Sequence, residues 1–238
     1  MAENTRLNIM LLFSLIVSFF GLLAILVLAL HPPTLQESVF WRKPLVGSFF
    51  TVICVVGSIA IFFPQKCSEA SHSVNKEKEV PSPRNPSNSI TAIKFRGHHP
   101  DCGRFRAHVI QRNGEMACAA CSGLLLGSII ALMGAVIYFF VGWNLAYAGL
   151  PLVLTGQVGI LLGFLQLKFE GYSRLVLNTW FVLGAFLILV GIDAIIENLL
   201  IDLYVIITIA FWIWTRILIS QWDHMRICNS CSVSCELK

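Results

Sequence analysis

Charge is what this sequence has least of. Asp, Glu, Lys and Arg make up 13% of its 238 residues, against 56% hydrophobic ones, too few to clothe a soluble globule. In-and-out alternation of apolar and polar residues about every ten positions is also missing, which argues against a transmembrane β-barrel. Ionisable residues are scarce inside the apolar runs, so an ion or solute transporter has little residue-level support. There is no nucleophile–base arrangement and no Gly-rich phosphate loop, which leaves hydrolase and nucleotide chemistry without a foothold.

What remains is long, continuous hydrocarbon. Apolar runs near 8–30, 45–63, 122–142, 146–167, 175–196 and 199–219 are each close to the ~20 residues a helix needs to cross ~30 Å of bilayer. The expected fold class is all-α, a polytopic membrane helix bundle of about six transmembrane helices with a small cytoplasmic Cys/His metal knuckle. The first run is too long for a signal-peptide core and reads as an anchor. Expected units are a two-helix hairpin (1–64), a flexible polar linker (65–90), the knuckle (91–122), a four-helix bundle (123–220) and a Cys-rich tail (221–238). The linker is rich in Ser, Lys, Glu and Pro and too poor in apolar residues to order itself.

With six spans, only Arg42 and Lys43 fall on one side of the membrane and every other Lys and Arg on the other. The positive-inside rule then sets both termini in the cytoplasm of a cell-membrane protein. The net charge of +4 follows from those loops and requires no nucleic-acid partner. All the cysteines except Cys54 lie on the inferred cytoplasmic side, where thiols stay reduced and metal binding or catalysis outranks structural disulfides.

The densest chemistry lies in residues 98–127, HHPDCGRFRAHVIQRNGEMACAACSGLLLG. Residues 107–111, Asn113-Gly114 and 115–117 read as strand, type I′ turn, strand, a hairpin that folds Cys118 and Cys121 back towards His98, His99 and Cys102. Fifteen residues separate Cys102 from Cys118, within the range of small zinc modules. Cys102, Cys118, Cys121 and one of His98 or His99 form a closed four-ligand set suited to structural zinc. His108, on the hairpin strand, reads as a surface or packing residue. In the tail, His224, Cys228, Cys231 and Cys235 are spaced by four, three and four and share one face of a continuing helix. Cys228 and Cys231 could join the Cys118–Cys121 site or form a second one.

Cys118-Ala119-Ala120-Cys121-Ser122-Gly123 at the start of a span, preceded by His98-His99-Pro100, resembles the signature of an uncharacterised family of small prokaryotic membrane proteins. Its members carry Cys-Ala-Arg-Cys-Thr-Gly at that position. Here Ala120 replaces Arg, Ser122 replaces Thr, and a His pair stands where one Cys is usual. The resemblance covers residues 95–134 and implies no activity.

Glycines at 123, 127 and 134 and at 156, 159 and 163 make the third and fourth spans suited to close helix contact, expected with each other. Gln157 and Asn178 read as interhelical hydrogen-bonding groups, and Asp193, Glu197 and Asp202 as interfacial acids at helix ends. The leading expectation is a non-enzymatic membrane protein whose zinc-held knuckle docks a protein partner or senses metal. A membrane thiol–disulfide oxidoreductase using Cys118 and Cys121, with Cys228–Cys231 as relay, is the alternative, and transport the third.

Overall fold

The computed structural model describes residues 2–34, 40–62, 95–96, 108–112 and 115–229. Six long helices dominate: α1 (Ala2–Leu30), α2 (Arg42–Phe62), α3 (Ala119–Ala135), α4 (Gly149–Phe164), α5 (Gly171–Ile196) and α6 (Leu199–Asn229). The π-helical segment Val136–Val141 extends α3, and the 3-10 turn Leu165–Lys168 extends α4. With these extensions, all six are long and apolar enough to cross a membrane. The architecture is an all-α bundle of membrane-spanning helices, and its outward surface of Ile, Leu, Val and Phe side chains suits hydrocarbon rather than water.

Successive helices run up and down, so one end carries the start of α1 and the end of α6 and the other carries the end of α1, the turns after α3 and α5 and the start of α2. These are called the terminal end and the far end. Two helices outrun their expected boundaries. The first reaches back to Ala2, and α6 continues ten residues past 219, to Asn229. The extension persists because its polar residues find partners: Trp222 Nε1 donates to Asn8 Oδ1 at 2.9 Å, and Asp223 meets Arg174.

The glycine stripes are contact surfaces, but not for each other. Every nearest neighbour of Gly123, Gly127 and Gly134 on α3, and of Gly156, Gly159 and Gly163 on α4, belongs to α5. The expected α3–α4 pairing is therefore corrected to two close approaches onto one central helix. Gly184, on α5, completes the contact from the other side, where an added Cβ would stand 2.6 Å from Gly156 O. Without side chains between them, these backbones gain dispersion contact over their full length, the driving force that remains in lipid. Gln157 Nε2 donates to Leu22 O of α1 at 2.9 Å, an interhelical tie as its polarity implied.

A small sheet sits at the terminal end, before α3. Strands β1 (Phe95–Arg96), β2 (Val109–Arg112) and β3 (Glu115–Cys118) are ordered β1-β3-β2. Strand β2 pairs antiparallel with β3, from Val109↔Cys118 to Arg112↔Glu115, whereas β1 pairs parallel, with Arg96 opposite Ala117. The register ends at Arg112↔Glu115, so Asn113 and Gly114 are the two residues between the strands, the loop length expected from the sequence. Those two residues, the linker, His98, His99, Cys102, Cys231 and Cys235 lie outside the described residues, as does the side chain of Cys228.

Candidate functional site

Two buried polar clusters occupy the ends of the bundle. The terminal one forms where the sheet meets the helices. Cys118 ends β3 and N-caps α3 with extended backbone, φ −67° and ψ 118°, and its side chain makes no capping hydrogen bond. Cys121 is three residues on, so both thiols leave the same side of the first turn. Both line the same small cavity, as does Arg216. Cys118 is buried and Cys121 partly so.

Around the thiols is an assembly drawn from four parts of the chain. His108, just before β2, is buried, with Nε2 3.3 Å from Asp223 Oδ2 on α6. Arg174 Nη2 of α5 donates to the same carboxylate oxygen at 3.0 Å. The His224 ring lies 5.8 Å from that of His108, centroid to centroid. Arg216, on α6, donates through Nε and Nη2 to Asn178 Oδ1 at 2.9 and 2.5 Å and through Nη2 to Gln166 Oε1 at 3.3 Å. Asn178 Nδ2 in turn donates to Arg174 O at 2.6 Å. Together Cys118, Cys121, His108, His224, Arg174 and Arg216 line a cavity of about 30 Å³, room for one water-sized group.

The electrostatics of this cluster are lopsided. Asp223 serves Arg174 and His108, whereas the hydrogen bonds of Arg216 go to neutral amide oxygens. A buried guanidinium without a carboxylate costs several kcal/mol unless an anion lies nearby. The groups at hand that can become anionic are Cys118 and Cys121.

The far cluster is built by the turn between α5 and α6. Glu197 adopts a left-handed conformation, φ 49°, which ends α5, and Asn198 Oδ1 accepts from Leu200 N and Ile201 N to start α6. This corner brings Asp193 and Asp202 together. Arg42 Nη1 of α2 bridges them, 2.6 Å from Asp193 Oδ1 and 2.5 Å from Asp202 Oδ2. The π-helical segment after α3 turns both Tyr138 and Phe139 inward, and the Tyr138 hydroxyl donates to Asp193 Oδ2 at 2.7 Å. Lys43 Nζ stands 4.9 Å over the Tyr138 ring and 3.9 Å from Asp193 Oδ2.

Of the residues singled out from the sequence, Cys118 and Cys121 are brought together, and His224 joins them across the cavity. Among the described residues no three His, Cys, Asp or Glu side chains are gathered in a way that could hold a metal. Two readings need correction. Asp193 and Asp202 are not interfacial acids, being 0% and 1% exposed and ion-paired. Arg42, Arg174 and Arg216, counted as loop charges, are buried inside the bundle. For Arg216 the sequence did hold a signal: an arginine inside an apolar run is costly and therefore partnered. No family model, curated protein or solved structure matches the chain.

Proposed function

We propose that this is an integral protein of the cell membrane whose terminal end faces the cytoplasm and carries a structural zinc site. Cys118 and Cys121 supply half of it, and Cys102 with one of His98 or His99 the rest. The observation that carries this is the register of the sheet. Arg96 pairs with Ala117 and Val109 pairs with Cys118, so both ends of the 97–107 segment are fastened beside the Cys-x-x-Cys turn. His98 follows Arg96 by two residues, at most about 7 Å of chain.

Charge balance supports the same ligand set. Three thiolates, one neutral imidazole and Zn²⁺ carry one net negative charge, which Arg216 offsets. A closed site of this kind stabilises rather than catalyses, so the hairpin becomes a rigid cap on α3, α5 and α6, fit to dock a cytoplasmic protein or report metal supply. The orientation rests on the basic residues left outside the bundle. Discounting the buried arginines, Lys43 alone remains at the far end.

Elemental analysis of detergent-purified protein tests the site. About one zinc per chain, as the four-ligand site requires, with Cys118 and Cys121 alkylated only after chelation, is the expected result. Absence of metal would end this reading. The second reading, a thiol–disulfide oxidoreductase, is favoured by the placement of Cys118 and Cys121 three residues apart at the start of α3, lining one small cavity. It gains only if metal is absent and the pair cycles between dithiol and disulfide.

The charge argument has its own test. Arg216→Gln is expected to weaken zinc binding ~10–100-fold, as loss of an outer-shell partner does, and Arg216→Lys to recover part of it. Equal affinities of Arg216→Gln and the parent in a chelator competition would remove Arg216 from the site.

A further inference from the structure

The far cluster contains an acceptor that its visible partners leave unserved. Asp193 receives Arg42 on Oδ1 and Tyr138 on Oδ2, and Asp202 receives Arg42 on Oδ2. Asp202 Oδ1 is buried and has no hydrogen-bond donor. Asp193 Oδ1 and Asp202 Oδ2 both meet the single nitrogen Arg42 Nη1, at 2.6 and 2.5 Å, so the two carboxyl groups are held side by side. Two ionised carboxylates hold acceptors only and repel at such range, whereas a carboxylic acid beside a carboxylate supplies the missing donor. One hydrogen atom on the orphaned oxygen thus removes both the unserved acceptor and the repulsion between two full carboxylates.

Charge points the same way. Among the described residues Arg42, 3% exposed, is the one fully buried cation against the two carboxylates. Lys43 is about a third exposed and 3.9 Å away, close enough to tune the pair but solvated enough to keep its own counter-ions. The buried part therefore carries one net negative charge, and a single proton makes it neutral, which the low-dielectric interior favours.

We propose that Asp193 and Asp202, bridged by Arg42, form a proton-binding site that holds one exchangeable proton, carried on Asp202 Oδ1. The charged and titratable groups in contact with the pair, among the described residues, are Arg42 and Lys43 of α2 and Tyr138 after α3. Lys43 marks the route to water. Loss of the proton leaves a second full carboxylate at the junction of α2 with the α5–α6 corner. Proton occupancy thereby sets how tightly Arg42 draws these helices together.

Infrared spectroscopy of the purified, lipid-reconstituted protein reads this directly. A protonated-carboxyl C=O band is expected near neutral pH. It shifts in D₂O, disappears at alkaline pH and is absent from Asp202→Asn. Tyr138→Phe, which removes one donor to Asp193 and keeps the fold, is expected to move the band without abolishing it. That variant identifies the pair even if Asp202→Asn does not fold. A deuterium-sensitive band unaffected by either substitution, or no such band in the parent, overturns the proposal. Loss of the band on adding sodium at constant pH also overturns it, as a metal-cation site.

Discussion

Arg42→Ala is expected to lower the unfolding free energy by about 3–5 kcal/mol, the range for removing one partner from a buried ionic cluster. Arg42 ties α2 to the α5–α6 corner through Asp193 and Asp202, and all three side chains are almost fully buried. Its loss leaves the Asp193–Asp202 pair without its buried cation, with only the partly solvated Lys43 nearby, and uptake of protons limits the damage rather than cancelling it. The number would measure those uncompensated carboxylates, not the net worth of the ion pairs. Accordingly, the triple variant Arg42→Met, Asp193→Asn, Asp202→Asn is expected to regain most of the stability, since no unpaired charge remains. Denaturant titration in detergent micelles distinguishes the cases. A single variant within about 1 kcal/mol of the parent would place the anchoring of α2 in apolar packing, such as Phe139 against Gly47, where an added Cβ would be 2.5 Å from Phe139 Cβ.

The six helices were legible because bilayer thickness sets a length that apolar runs either meet or miss. All six expected spans coincide with helices of the bundle, and the errors lie at the ends. There the boundary is decided by polar residues such as Asp223 and Trp222, whose partners, Arg174 and Asn8, are remote in the chain. Partnership was the illegible part. Arg42 and Asp193 stand 151 positions apart, and an arginine at the edge of an apolar run looks the same whether it snorkels to water or turns inward to an acid. The glycine stripes declared that α3 and α4 make close contacts but not with which helix, because any small-residue face suits any backbone. Cys118 and Cys121 were legible because three residues at a strand–helix junction fix two side chains on one side. Arg216 beside them was not, because it reaches them from a separate helix.

The second large effect is expected from a single methyl group. An added Cβ at Gly123 would collide with Leu175 O and stand 2.9 Å from Asn178 Cβ. A backbone carbonyl has no rotamer to adopt, so Gly123→Ala forces α3 away from α5, at the ~1–3 kcal/mol typical of overpacking or more. The helix propensity gained, up to ~1 kcal/mol, does not offset a clash with backbone. The separation also weakens the hydrogen bond from Thr179 Oγ1 to Gly123 O, now 3.0 Å. Gly57→Ala is the matched control, because nothing lies within 4 Å of a Cβ there. It is expected to be neutral or slightly stabilising. Gly123 follows Cys121 by two residues, so the displaced turn carries both thiols away from Arg216, and under the proposed zinc reading metal affinity is expected to fall ~10–100-fold. A destabilised Gly123→Ala with parent-like affinity in a chelator competition would show that the sheet alone positions the cysteines. The bundle contact would then serve stability, and Arg216 would follow the thiols rather than hold them.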